Sequence, residues 1–161
     1  MTDPDDIYNW RRVNARITSS GRLRRDDVRR LKELGVTWVI NLALASHPDA
    51  LDQEAEKMAA QGIGYTHIPV DFKAPSEEDF AQFCTAMEGA GDATLHIHCI
   101  ANFRVSAFLY RYDRDVRGAS ETQARALMDS VWQPGGVWAA FIGDTASIDE
   151  PHRSADGRPL D

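Results

Sequence analysis

The segment Thr37–Leu42 restricts the fold of this chain more than any other. Its residues are β-branched or apolar almost throughout, the pattern of a strand buried on both faces. Such a strand needs helices over each face, and helical patterns stand on either side of it. Residues 12–18 alternate Val13, Ala15 and Ile17 with polar side chains and read as a half-buried strand, broken at Ser19, Ser20 and Gly21. Asp26 or Asp27 caps a short helix that turns Val28, Leu31 and Leu34 inward, and Gly35 stops it. A second helix is expected over residues 50–60 and a strand over 65–70. Ser76 and Asp79 give a capping-box-like start to a helix with Phe80, Phe83, Cys84 and Met87 on one face. Residues 94–98 form the next strand. A helix follows, carrying Val105, Phe108, Leu109, Tyr112 and Val116, and Ser120 opens another with Ala124, Leu127, Met128 and Val131.

This alternation predicts an α/β fold: a single domain over residues 1–145 with a central, mostly parallel sheet flanked by helices. Residues 133–136 read as a loop, and the polar tail, 146–161, as disordered. Trp38, Phe83 and Cys84 read as core, while Trp132 and Trp138 pack the last helix or line a pocket.

Composition removes several classes of function. With 43% hydrophobic and 27% charged residues the chain has the make-up of an ordinary globular domain. No apolar run approaches the roughly 18 residues of a membrane span. The acidic N-terminus lacks the apolar stretch of a secretory signal. Two cysteines, Cys84 and Cys99, are too few for a disulfide framework and fit a reducing cytoplasm. A net charge of -7 argues against nucleic acid held through general basic charge. Half of the 18 Lys and Arg residues nevertheless fall between Arg11 and Lys32, either as a solvated face or as a positive rim for an anionic substrate.

The chemistry-bearing segment is His98–Ser106. Cys99 stands between the end of a predicted strand and the start of a predicted helix. In open α/β sheets ligands bind beyond the carboxyl ends of the strands. Unpaired N–H groups of a first helical turn, together with the helix dipole, favour negative charge at such a position. Thiols in such settings ionise more readily than free cysteine. The same N–H groups can cradle a tetrahedral oxyanion, with Arg104 as a planar fork on two of its oxygens. Asn102 suits the left-handed backbone that such a loop often requires.

On His98, Cys99, Ala101, Arg104 and Ser106, together with Ile68–Asp71 upstream, the sequence resembles the dual-specificity-type protein tyrosine phosphatases. The resemblance extends over the strand–helix order from Arg12 to Trp132. It implies a phosphatase acting through a cysteinyl-phosphate intermediate without metal or cofactor. Cys99 is then the nucleophile, and Arg104 binds the equatorial oxygens. Ser106 donates to the leaving thiolate, His98 orients the loop, and the main chain of Ile100, Ala101, Asn102 and Phe103 completes the phosphate cradle. A phosphorylated protein or small molecule is the implied partner.

The family's signature is His-Cys, five residues, Arg, then Ser or Thr, whereas Arg104 follows Cys99 after four and Val105 separates it from Ser106. Either the loop keeps its length and the arginine has moved one place earlier, or the loop is one residue shorter. Asn102 and Ser106 staying in register favours the first. The general acid is expected at Asp71, which ends the strand on the same side of the sheet as Cys99; as an alternative it is an ordinary turn residue. Glu77, Glu78 and Asp79 serve a helix start. His67, His96 and His98 lack the ligand spacing of a metal site and read as structural. Two other functions stay open. One is an anion-binding module without turnover; the other is sulfur transfer, because rhodanese-type loops often place Arg after Cys and four residues.

Overall fold

The computed structural model describes residues 2–160. Its five-stranded sheet runs in the order β1 (Arg11–Arg12), β2 (Ile17–Ser20), β5 (Leu95–His98), β3 (Trp38–Asn41) and β4 (Gly64–His67). All pairings are parallel except β1 with β2. The α/β architecture expected from Thr37–Leu42 is therefore what the chain adopts. Alternation along β3 sends Val39 and Ile40 into different apolar clusters, as a strand covered on both faces requires. One cluster joins β3 to α1 (Arg25–Glu33) and α2 (Glu54–Ala60) through Val28, Leu31 and Met58. The larger one joins the sheet to α3 (Glu77–Ala90), α4 (Phe103–Asp115), α5 (Glu121–Val131) and α6 (Gly136–Ile142). Phe83, Phe108 and Trp138 are fully buried there. Each such side chain contributes about 1.5–3 kcal/mol by leaving water.

Several local expectations change. The single strand over residues 12–18 is a hairpin: the Asn14 side chain accepts from the amides of Arg16 and Ile17, both at 2.9 Å, and turns β1 into β2. The local alternation was matched, but an Asx turn competes with extended backbone. The cap of α1 is Arg24, whose amide donates to Asp27 at 2.7 Å. Trp38 is not core. It opens β3 at the sheet margin, 38% exposed, and its indole donates to Thr66 of the neighbouring edge strand at 2.8 Å. Ser76 caps α3 and Ser120 caps α5 as expected.

The tail departs most from expectation. Thr145–Ser147 forms a 3-10 turn, and β7 (Arg153–Ser154) pairs antiparallel with β6 (Trp132–Gln133). A polar sequence with little apolar content carries no sign of this order. It is held by long-range contacts: His152 accepts from the Gly135 amide at 3.1 Å and packs against Trp132 and Phe72.

Candidate active site

Strand β5 lies at the middle of the sheet, so its C-terminal end opens onto the crevice between its neighbours β2 and β3. Cys99 is the next residue. Its amide donates to Ser20 at 3.3 Å, and the His98 carbonyl accepts from Leu42 at 2.9 Å, so the chain is gripped from both sides just before it leaves the sheet. The Ile100 carbonyl then accepts from the Arg22 amide at 2.8 Å. It passes so close to Gly21 that a Cβ there would stand 2.6 Å from this oxygen. Asn102 adopts a left-handed backbone, φ 66°, immediately before α4. Its side-chain amide donates to the Asn9 carbonyl at 2.9 Å and to Ser19 at 3.0 Å, and Asn9 in return donates to the Ala101 carbonyl at 2.9 Å.

The hydrogen bonding of this loop is lopsided. Its carbonyls and side chains are tied down, but the amides of Ile100, Ala101, Asn102, Phe103, Arg104 and Val105 have no acceptor among the described residues. The next amide, Ser106, resumes helical bonding to the Asn102 carbonyl at 3.0 Å. Six consecutive unsatisfied donors at the start of a helix of 13 residues form a nest for an anion.

Cys99, Ile100, Ala101, Phe103 and Arg104 line a cavity of about 390 Å³ together with Leu44, His47, Asp71, Phe72 and Lys73. Cys99 is buried, only 1% exposed. Arg104 is buried, and its Nη1 donates to the Val70 carbonyl at 3.0 Å. Its Nε is buried without a partner among the described residues, a charged donor that a bound oxyanion would satisfy. Asp71 follows the strand-like extension of β4, where the amides of Ile68 and Val70 still bond to Asn41 and Leu42. It is exposed. Its Oδ1 accepts from the Lys73 amide at 2.9 Å, and Oδ2 has no partner among the described residues.

The cavity therefore brings together Cys99, the loop amides, Arg104 and Asp71. Ser106 is directed elsewhere: its hydroxyl donates to the Phe103 carbonyl and accepts from the Trp132 indole, each at 3.1 Å. None of the basic residues from Arg11 to Lys32 lines the cavity, and Lys73 and Arg104 are the cations that do. Part of the basic segment is occupied with folding, for Arg12 pairs with Asp3, and Arg30 with Asp6 and Asp27.

His98 faces two acceptors, the Cys99 carbonyl at 3.2 Å from Nδ1 and the buried Glu54 carboxylate at 2.6 Å from Nε2. Glu54, at the start of α2, thus braces the residue before the cysteine. Nothing in its sequence neighbourhood pointed to it, because the contact spans 44 positions. Burial, and then the Glu54 charge, push the nearby Tyr65 hydroxyl up in pKa. His67 and His96 bond away from the cysteine. His67 Nε2 meets the Ala43 carbonyl at 2.6 Å, and the nitrogens of His96 meet Thr18 and Ser20, both at 2.8 Å. Cys84 is half buried on α3, where burial raises its thiol pKa.

A mostly parallel α/β sheet with a cysteine at the end of its central strand, six amides after it without an acceptor among the described residues, and an arginine on the following helix has the layout of a phosphatase. The chain belongs to the same family as a DUF442 protein from Shewanella putrefaciens CN-32 that is assigned as a phosphatase. The two are 30% identical with a TM-score of 0.75, and the match covers 86% of this chain and 91% of that one. TpbA from P. aeruginosa, solved with pTyr, shares the fold at 17% identity and a TM-score of 0.63, over 80% of this chain and 75% of that one. The core catalytic domain of the PP-IP phosphatase SIW14 from S. cerevisiae, solved with citrate, does so at 15% identity and 0.66, over 89% and 88%. No protein-family model and no curated protein matches the sequence.

Proposed function

We propose that this protein hydrolyses phosphomonoesters, phosphotyrosine or a small phosphorylated metabolite, through a cysteinyl-phosphate on Cys99. The row of amides from Ile100 to Val105 without an acceptor among the described residues, between one cysteine and a helix that bears one buried arginine, carries this reading. In the first step Cys99 Sγ attacks phosphorus as the thiolate, the bond to the ester oxygen breaks, and Asp71 gives that oxygen a proton. Main-chain donors and Arg104 hold the non-bridging oxygens, where charge gathers in the transition state. In the second step water attacks phosphorus, its proton goes to the Asp71 carboxylate, and the sulfur leaves as thiolate. Ser106 assists that departure only if its hydroxyl turns from Phe103 toward sulfur; as placed, it fixes the first turn of α4 against Trp132. His98, held by Glu54, orients the loop through the Cys99 carbonyl.

The relatives support a phosphorylated substrate, since TpbA was solved with pTyr and SIW14 is a PP-IP phosphatase. Apolar walls from Leu44, Phe72 and Phe103 suit the organic part of an ester, and Lys73 lies at the same cavity. Turnover of 4-nitrophenyl phosphate tests the proposal: wild type turns over, and Cys99→Ser loses at least about a thousandfold, as nucleophile removal does. Equal rates from both proteins would end it.

A second reading is favoured by one observation: Arg104 already spends Nη1 on the Val70 carbonyl. On that reading the site holds phosphate without turnover. Calorimetric binding of phosphate or tungstate, with 4-nitrophenyl phosphate left intact, would establish it.

A further inference from the structure

The carbonyls on either side of Asp71 are both fastened by buried donors. Arg104 Nη1 holds Val70 at 3.0 Å, and the indole Nε1 of Trp138 holds Phe72 at 2.7 Å. Trp138 comes from α6 and is completely buried. The Phe72 ring is boxed in as well, with Trp138 at 5.5 Å, Trp132 at 5.9 Å and His152 edge-on at 5.4 Å between ring centres. His152 belongs to the C-terminal strap and is itself fixed by the Gly135 amide. Asp71 is thus the exposed residue of a turn whose two flanking carbonyls are each held by a buried side chain. A lone turn carboxylate would need none of this.

We infer that Trp138 is a positioning residue for the acid: its indole N–H, reaching the Phe72 carbonyl, sets the Asp71 carboxyl over the cysteine, with the strap residue His152 steadying the same ring. This rests on Asp71 being the general acid. A proton donor must lie within hydrogen-bond reach of the departing oxygen, and a displacement of about 1 Å can cost on the order of a hundredfold in rate. In the first step, which kcat/KM reports, the cost falls only on substrates that need the proton; the second step is common to all of them. An aryl phosphate with a strongly acidic phenol leaves without help, whereas phenyl phosphate does not.

The test compares kcat/KM on 4-nitrophenyl phosphate and on phenyl phosphate for wild type, Asp71→Asn, Trp138→Phe and His152→Ala. Phenylalanine keeps most of the buried ring and removes the N–H. Asp71→Asn is expected to lose about a hundredfold on phenyl phosphate and far less on 4-nitrophenyl phosphate. Trp138→Phe is expected to lose about tenfold on phenyl phosphate, with kcat/KM on 4-nitrophenyl phosphate within about twofold of wild type. His152→Ala, at a half-buried site, gives the same selective loss at about threefold and decides the matter if Trp138→Phe does not fold. A selective loss in Asp71→Asn but equal or no loss on the two substrates in the folded variants overturns the role of Trp138. If Asp71→Asn itself shows no selectivity, the assignment of the acid fails instead.

Discussion

Asn102 shows how much of the site is set by single residues. A left-handed backbone costs an ordinary L-residue about 1–2 kcal/mol, and Asn tolerates it better than most. Here the side chain also joins the nucleophile loop to Asn9 and Ser19. Asn102→Ala is expected to lose about 2–4 kcal/mol in urea unfolding, from strain plus two hydrogen bonds. Asn102→Gly, free of the strain, should lose about half of that; an order reversed between the two would contradict the assigned cause. The need for such a residue was legible in the sequence from the offset between Cys99 and Asn102. The direction of the Ser106 hydroxyl was not, because its partner Trp132 lies 26 positions away. Nor was the bond from Arg104 to Val70, 34 positions away, which bears on how a loop with the arginine one place early can work.

At the scale of elements, strands with alternating or doubly buried patterns and helices opened by Ser76 and Ser120 were readable, because local chemistry decides them. α6 was not anticipated. Its seven residues are too short for a helical period to stand out, and burial of Trp138, Ala139, Phe141 and Ile142 maintains it. The joint between β2 and β5 gives a pH prediction. Ser20 donates to the Gly21 carbonyl at 2.9 Å, so it accepts from His96 Nε2, and Thr18 donates to Nδ1. This ring is neutral, and burial holds its pKa well below the ordinary 6.5. The unfolded chain then binds more protons than the folded one as pH falls below that value, so stability is full above about 6.5 and drops on acidification toward the folded pKa. Melting temperatures should decline from pH 7.5 to about 5.5 more steeply in wild type than in His96→Gln. Parallel slopes would show that His96 does not titrate as described.

The whole molecule is tied together behind the candidate acid. The strap around His152 runs over Gly135 so closely that a Cβ there would stand 2.1 Å from the Glu150 carbonyl oxygen. Gly135→Ala should displace the strap, lowering stability by about 1–3 kcal/mol and speeding tryptic cleavage after Arg153. Unchanged cleavage would mean that the strap is not anchored there. Polar composition concealed this order from a reading of the sequence, since the contacts of His152 that fasten it, with Gly135, Trp132 and Phe72, are distant in the chain. Leu44 and His47, which line the cavity, were not legible either. The fold class was, as was the placing of Cys99, Ile100, Ala101, Phe103 and Arg104 at one cavity, because a strand end, a cysteine and a helix start are neighbours in sequence. What lies behind them, Glu54 under His98 and Trp138 under Phe72, comes only from tertiary contact. All of it converges on one sulfur. Mixing the protein with an aryl phosphate, quenching in denaturant within the first turnovers and mapping peptides by mass spectrometry tests that convergence directly. A phosphoryl group on the peptide containing Cys99, lost in Cys99→Ser, is the predicted result; turnover with Cys99 unmodified and undiminished in Cys99→Ser would contradict it.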